Sequence, residues 1–263
     1  MWGAHAAGPD PLAEAAALGA TAVQIMLGDP RSWTAPALGV PDGPAAFRAA
    51  AEAAGVAVFV HAAYVVNVAS LNNRVRIPSR KLLQQTLDLA GRLGARGVVV
   101  HGGHLTAHDD PAAGRANWRK AVDTLDLAVP LYIENTAGGA NAMARTADRI
   151  VALRDALADS PHSSRVGWCF DTCHAHAAGF DLATAAADFR AAAGRIDLVH
   201  ANDSRDLAGS GADRHANLGR GLCDPAALRQ AILSAEAPLI METPGSLAER
   251  QADRDWLGLT AAA

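Results

Sequence analysis

Lysine is almost missing from this chain: Lys81 and Lys120 are the only two among 23 basic residues. Chemistry through a lysine Schiff base would depend on one of this pair, and both fall in helix-like stretches, so that class is poorly supplied. Cysteine is scarce as well. There are three, an odd number, and Cys169 and Cys173 flank a polar Asp-Thr pair, so reduced thiols and a cytoplasmic location are expected. Long apolar runs are missing: polar residues interrupt every one, which excludes a membrane span from the expectation. The opening MWGAHAAG lacks a basic stretch followed by an apolar run, so no signal peptide is expected. An excess of positive charge is missing too. The formal charge is −4, which by itself argues against a nucleic-acid partner. Bound divalent cations would change that balance, since three Zn²⁺ add +6 to −4 and leave about +2 for the loaded protein, with the positive charge concentrated in one place.

What is present is apolar and repetitive. Half of the 263 residues are hydrophobic, enough for a sizeable core. Short runs rich in Val and Ile recur at Met1–His5, Ala22–Met26, Val56–Val60, Gly97–Val100, Pro130–Ile133, Val166–Phe170, Ile196–Val199 and Pro238–Met241. Ala/Leu-rich helical stretches separate them. Ser79–Leu93 is expected as a helix capped by Ser79 and ended by Gly94, Asp181–Ala193 as one capped by its Asp, and Asp224–Ala235 as one with Asp224 as cap and Pro225 in the first turn. Eight strand-helix repeats predict an α/β fold, a single (β/α)8 barrel over residues 1–263, expected to be a monomer. No GxGxxG follows the first strand, which speaks against an open dinucleotide-binding sheet.

The strand ends carry the functional signal. Six consecutive apolar strands end in His61, His101, Glu134, Asp171, His200 and Glu242. In a barrel of this kind the C-terminal strand ends ring the face where active sites sit. One such residue alone reads as a hydrogen-bonded polar side chain. Six on one rim would place imidazoles and carboxylates together at a cost of several kcal/mol per buried charge, which metal ions remove. His174, three residues after Asp171, and the Asp213-Arg-His215 unit stand in loops just beyond. All nine offer nitrogen or oxygen, a donor set that suits Zn²⁺ and tolerates Mn²⁺ or Fe²⁺. Three ions is the economical count, unless several of the nine only orient the others.

At these residues the chain resembles the endonuclease IV family of apurinic/apyrimidinic endonucleases. The matching segments are His61-Ala-Ala-Tyr64, Glu134-Asn-Thr-Ala-Gly138, Asp171-Thr-Cys-His174, His200-Ala-Asn-Asp-Ser204, Asp213-Arg-His215 with Gly219 and Gly221, and Glu242-Thr-Pro244. The resemblance implies that His61 and His101 hold a first zinc, which Glu134, the catalytic carboxylate, bridges to a second. Asp171, His200 and Glu242 would complete the second site, and His174, Asp213 and His215 would form a third. It implies double-stranded DNA as partner, cut 5′ to abasic sites, with trimming of blocked 3′ ends. Arg31 and Tyr64 occupy the places from which the family pushes an Arg and a Tyr into the duplex. Tyr64 reads equally as a core aromatic, and Arg31 also as a solvated loop residue.

Two segments depart from the family pattern. The opening Gly3-Ala-His5-Ala-Ala-Gly-Pro9 lacks the family's Ser and is shortened. His101-Gly102-Gly103-His104 has Gly where the family has Pro, which predicts a looser loop and lets His104 compete with His101. His5 is expected beside the ligands or in the core, Cys173 as a small buried residue, and His108, His162 and His176 on loop or helix surfaces. Two rivals stand against the nuclease. A single-metal sugar isomerase or epimerase on the same barrel would need only Glu134, Asp171, His200 and Glu242, leaving the other five without work. A non-catalytic DNA-binding barrel would keep its metals for stability.

Overall fold

In a computed structural model of the chain, which describes residues 1–6, 8–40, 42–139 and 141–259, eight parallel strands close into a barrel. Ala7 of the shortened first loop and residues 260–263 of the expected domain lie outside the described residues. The strands are β1 (Trp2–His5), β2 (Ala22–Met26), β3 (Ala57–His61), β4 (Gly97–His101), β5 (Leu131–Glu134), β6 (Val166–Asp171), β7 (Leu198–Ala201) and β8 (Leu239–Met241). Each pairs with its sequence neighbour, and β1 closes the ring against β8. No described helix is long and apolar enough to cross a membrane.

The helices are α1 (Pro11–Leu18), α2 (Gly43–Ala53), α3 (Asn73–Arg92), α4 (Pro111–Val122), α5 (Ala147–Leu157), α6 (Thr172–Ala178), α7 (Ala185–Ala193), α8 (Pro225–Ser234) and α9 (Leu247–Leu257). Their apolar faces pack on the outside of the barrel in one continuous core, with Trp118, Phe170 and Phe189 among its largest fully buried side chains. Burying a side chain such as Phe189 stabilises by about 1.5–3 kcal/mol. Asp224 caps α8 as expected, its carboxylate accepting from Ala227 N at 2.8 Å. Two helix starts differ from the sequence reading. α3 begins at Asn73, with Asn72 as cap, and runs through Pro78. Ser79 is therefore inside the helix, where its hydroxyl donates to the Val75 carbonyl and accepts from Asn67 N. α7 begins only at Ala185, because the Asp181 carboxylate accepts from Ala183 N in a turn that precedes it.

Side chains along a strand alternate between the barrel interior and the helix layer. A buried interior layer is built from Ala22, Phe59, Val99, Cys169, Leu198 and Ile240. Two residues further along the same strands stand Gln24, His61, His101, Asp171, His200 and Glu242, the next layer toward the C-terminal ends. The polar ring thus rests on an apolar floor.

Candidate metal centre

Strand register sets the ring's neighbours. His101 lies beside Glu134 in the β4–β5 pairing, and Asp171 beside His200 in the β6–β7 pairing. Glu134 is fully buried at the centre of the group. Its Oε2 lies 3.2 Å from His61 Nε2 and 3.3 Å from His101 Nε2, while its Oε1 lies 2.9 Å from His200 Nδ1 and 3.4 Å from His174 Nδ1. Glu242 Oε2 approaches His200 Nδ1 to 3.2 Å. All nine residues singled out in the sequence therefore meet at one mouth. Seven of the side chains at this mouth, Tyr64 among them, line a cavity of about 260 Å³. Donor atoms of His61, His101 and Glu134 fall within 4.8 Å of one another, as do those of His174, Asp213 and His215, and those of His61, His200 and Glu242.

The imidazoles are held as ligands are held, by one nitrogen, with the other free to face the cluster. His61 Nδ1 meets its neighbour's carbonyl at Ala62 at 2.7 Å, and His174 Nδ1 meets the Asn135 carbonyl at 2.9 Å. His200 is held the other way round, with Nε2 on Gln24 Oε1 at 2.8 Å. His174 Nε2 and His215 Nε2 come within 3.1 and 3.2 Å of the same Asp213 oxygen. Neither nitrogen has a hydrogen-bond partner, although both are buried. Three donor atoms that converge without bonding one another fit a cation between them.

Electrostatics point the same way. Burial works against charge on His200, yet the Glu242 and Glu134 carboxylates outweigh it and raise its pKa to about 9. At His215 burial is overcome by the nearby Asp213 carboxylate and by Asp171, again to about 9. Glu134 resists its own burial because His200 and His101 hold it well below the usual carboxylate range. Glu242 is brought to about 2 against burial, chiefly by His200. Asp171 goes the other way, raised by burial. The mouth thus has a negative potential that retains protons on imidazole and would retain divalent cations. The donor set is nitrogen and oxygen only. Cys173 is buried, and burial pushes its thiol up to about 12, as befits a small core residue.

Around the nine stand residues the sequence reading passed over. Asn202 donates to Asp171 Oδ2 at 2.6 Å and to Glu242 Oε2 at 3.3 Å. Asn135 binds the Asp171 backbone in both directions. Gln24 joins His200 to Glu242. Asn135 and Asn202 follow Glu134 and His200 closely in sequence, a signal that was available. His176, expected on a surface, is buried, and its Nε2 contacts the Asp206 carbonyl at 3.0 Å. His104 is exposed, so it does not displace His101. Gly102 is packed rather than loose: an added Cβ would stand 2.6 Å from the Ala144 side chain. His5 ends β1 beside the ring, and burial lowers its pKa. Tyr64 is 55% exposed, which removes the core-aromatic reading. Its ring stacks on His101 with centroids 5.9 Å apart, and its backbone N–H donates to the Pro30 carbonyl, next to exposed Arg31.

Residues 12–258 match the xylose isomerase-like TIM barrel family. "Probable endonuclease 4" of Mycobacterium ulcerans is 52% identical over 241 residues, 92% of each chain. The endonuclease IV structure from Thermus thermophilus superposes with a TM-score of 0.82 at 33% identity, covering 98% of both chains. The chain belongs to the endonuclease IV family. Membership places it among nucleases, a class of hydrolase. A D-tagatose 3-epimerase-like protein also superposes, with a TM-score of 0.72 at 16% identity, a likeness of fold alone. Endonuclease IV architecture here therefore combines a widely shared barrel with a rim of nine clustered donor residues.

Proposed function

We propose that this endonuclease IV family member, as one catalytic domain over residues 1–263, cuts double-stranded DNA 5′ to abasic sites and trims blocked 3′ ends. It would do so with three zinc ions, one position tolerating Mn²⁺ or Fe²⁺. His61, His101 and Glu134 would hold the first ion. Glu134, Asp171, His200 and Glu242 would hold the second, and His174, Asp213 and His215 the third. The observation that carries this is the pair of buried, unbonded Nε2 atoms of His174 and His215 aimed at one Asp213 oxygen. A single-metal sugar isomerase would give these three residues no work.

Bound in such a site, divalent ions bring the pKa of water toward neutrality and offset negative charge on a phosphodiester. The chain's own residues supply the rest. Glu134, central and kept ionised by its histidine neighbours, presents one oxygen to the His61–His101 side and the other to His200. The carbonyls of Ala62 and Asn135 fix which nitrogen two of the imidazoles offer. Tyr64 stands over the cluster, and with Arg31 on the adjoining loop it can occupy the space a missing base leaves. A cleft of about 950 Å³ leads away from the mouth between Tyr64, Trp33, His101 and Asp213, room for a strand of backbone. Metal counting on purified chain is the test. About three zinc ions per chain is the expected result, and a single Mn²⁺ or Mg²⁺ would favour the isomerase.

A further inference from the structure

Gln24 interrupts an apolar strand, between Val23 and Ile25, and is fully buried. A buried amide is costly unless its donor and acceptor are both paired. Here both ends meet candidate ligands: the Gln24 side-chain nitrogen donates to Glu242 Oε1 at 2.6 Å, and its oxygen lies 2.8 Å from His200 Nε2. The amide orientation is set by Glu242, since the reverse would place two oxygens against each other. An amide oxygen only accepts, so His200 must carry a proton on Nε2. That leaves Nδ1 as the atom facing Glu134 Oε1 and Glu242 Oε2. His61 and His174 are fixed in the opposite sense, with Nδ1 on a backbone carbonyl.

We propose that Gln24 is the positioning residue of the second metal site: it makes His200 an Nδ1 ligand and aims one Glu242 oxygen at the same point. The proposal rests on the metal reading above and adds a residue to it. It also predicts selectivity among the three positions. The side-chain hydrogen bonds of Gln24 go to Glu242 and His200 and to none of His174, Asp213 and His215, so only the His200–Glu242 position should weaken when it is removed.

Gln24→Leu removes both bonds, and Gln24→Met, unbranched and of the same length, serves if the leucine variant fails to fold. Gln24→Glu keeps an acceptor for His200 Nε2–H but loses the donor to Glu242, and should fall between wild type and leucine. The measurement is competition with a chelator for zinc, together with visible absorption of the cobalt-substituted protein and melting of the metal-free form. One ion of the three should be lost about 10- to 100-fold more readily in Gln24→Leu or Gln24→Met. The cobalt bands should change while metal-free melting stays within a few degrees. Variants that retain all ions as firmly as wild type, or lose them from every position alike, overturn the proposal. A wild-type chain that takes up no metal overturns the metal reading too, so the two failures are distinguishable.

Discussion

At the scale of single residues, the proposed function divides the mouth into side chains that would hold metal and side chains that would shape the substrate. His61 is buried and touches Glu134, so His61→Ala should depress cleavage of every substrate alike. Tyr64 and Arg31 lie outside the group of nine, exposed on adjoining loops. Tyr64→Ala and Arg31→Ala should leave metal content unchanged. They should lower kcat/KM on abasic duplex by about ten- to a thousandfold, because holding a nucleotide out of the stack costs a few kcal/mol. Frayed 3′-blocked ends, already accessible, should lose less. Equal losses on both substrates would show that these loops do not wedge the duplex. Six of the nine were legible in sequence because each ends an apolar strand. His174, expected in a loop, stands in the first turn of α6 directly after Asp171, and Asp213 and His215 stand well along the loop after β7. Gln24 was not legible, since a single polar residue inside Ala22–Met26 reads as a flaw in an apolar run. It shows itself only when the barrel closes and sets it level with His61 and His200.

At the scale of elements, the long loop after β7 carries Asp213 and His215, the latter paired with Ser204 in a short antiparallel ladder. It is pinned at several points. Gly209 N donates to the His176 carbonyl, Gly211 N to the Ala177 carbonyl, and the His176 ring contacts the Asp206 carbonyl. Asp206 in turn pairs with Arg214. Gly138, in the loop after β5, lies so close that an added Cβ would stand 2.2 Å from the Gly211 carbonyl oxygen. Backbone cannot yield as a side-chain tip does, so Gly138→Ala should push the loop away from α6. We expect one ion per chain to be lost and activity to fall about tenfold or more, with melting little changed. Full metal content in Gly138→Ala would show that the loop adapts freely. Elements also show where pattern reading stops. Pro78 suggests a boundary, yet α3 passes through it, since a proline near a helix start removes only one backbone bond. The Asp181 side chain satisfies a turn instead of a helix, which no spacing rule separates from a cap.

At the scale of the whole molecule, the barrel gathers four carboxylates and five imidazoles of a chain with net charge −4 at one mouth. The metal-free protein should hold His200 and His215 protonated. His200 and His215 are raised from an ordinary 6.5 to about 9, so their stabilisation is complete below pH 6.5 and lost as pH rises through 9. Glu242, lowered from 4.5 to about 2, contributes above pH 4.5 and ceases to as pH falls through 2. Metal-free chain should therefore melt lower at pH 9.5 than at pH 6.5. Zinc-loaded chain should not follow, because the ions replace those protons and bind more firmly as pH rises. Parallel melting curves for both forms would contradict the cation-between-carboxylates picture.

The central claim is that clustered ligands, loaded with metal, make this barrel a nuclease at abasic sites. Its most direct test is zinc titration of fully stripped chain while incision of a duplex with one abasic site is followed. The account predicts no incision at zero zinc. Product ending in a 3′-hydroxyl should then rise and level off near three equivalents. Incision by the stripped chain, or none with all positions filled, would contradict it.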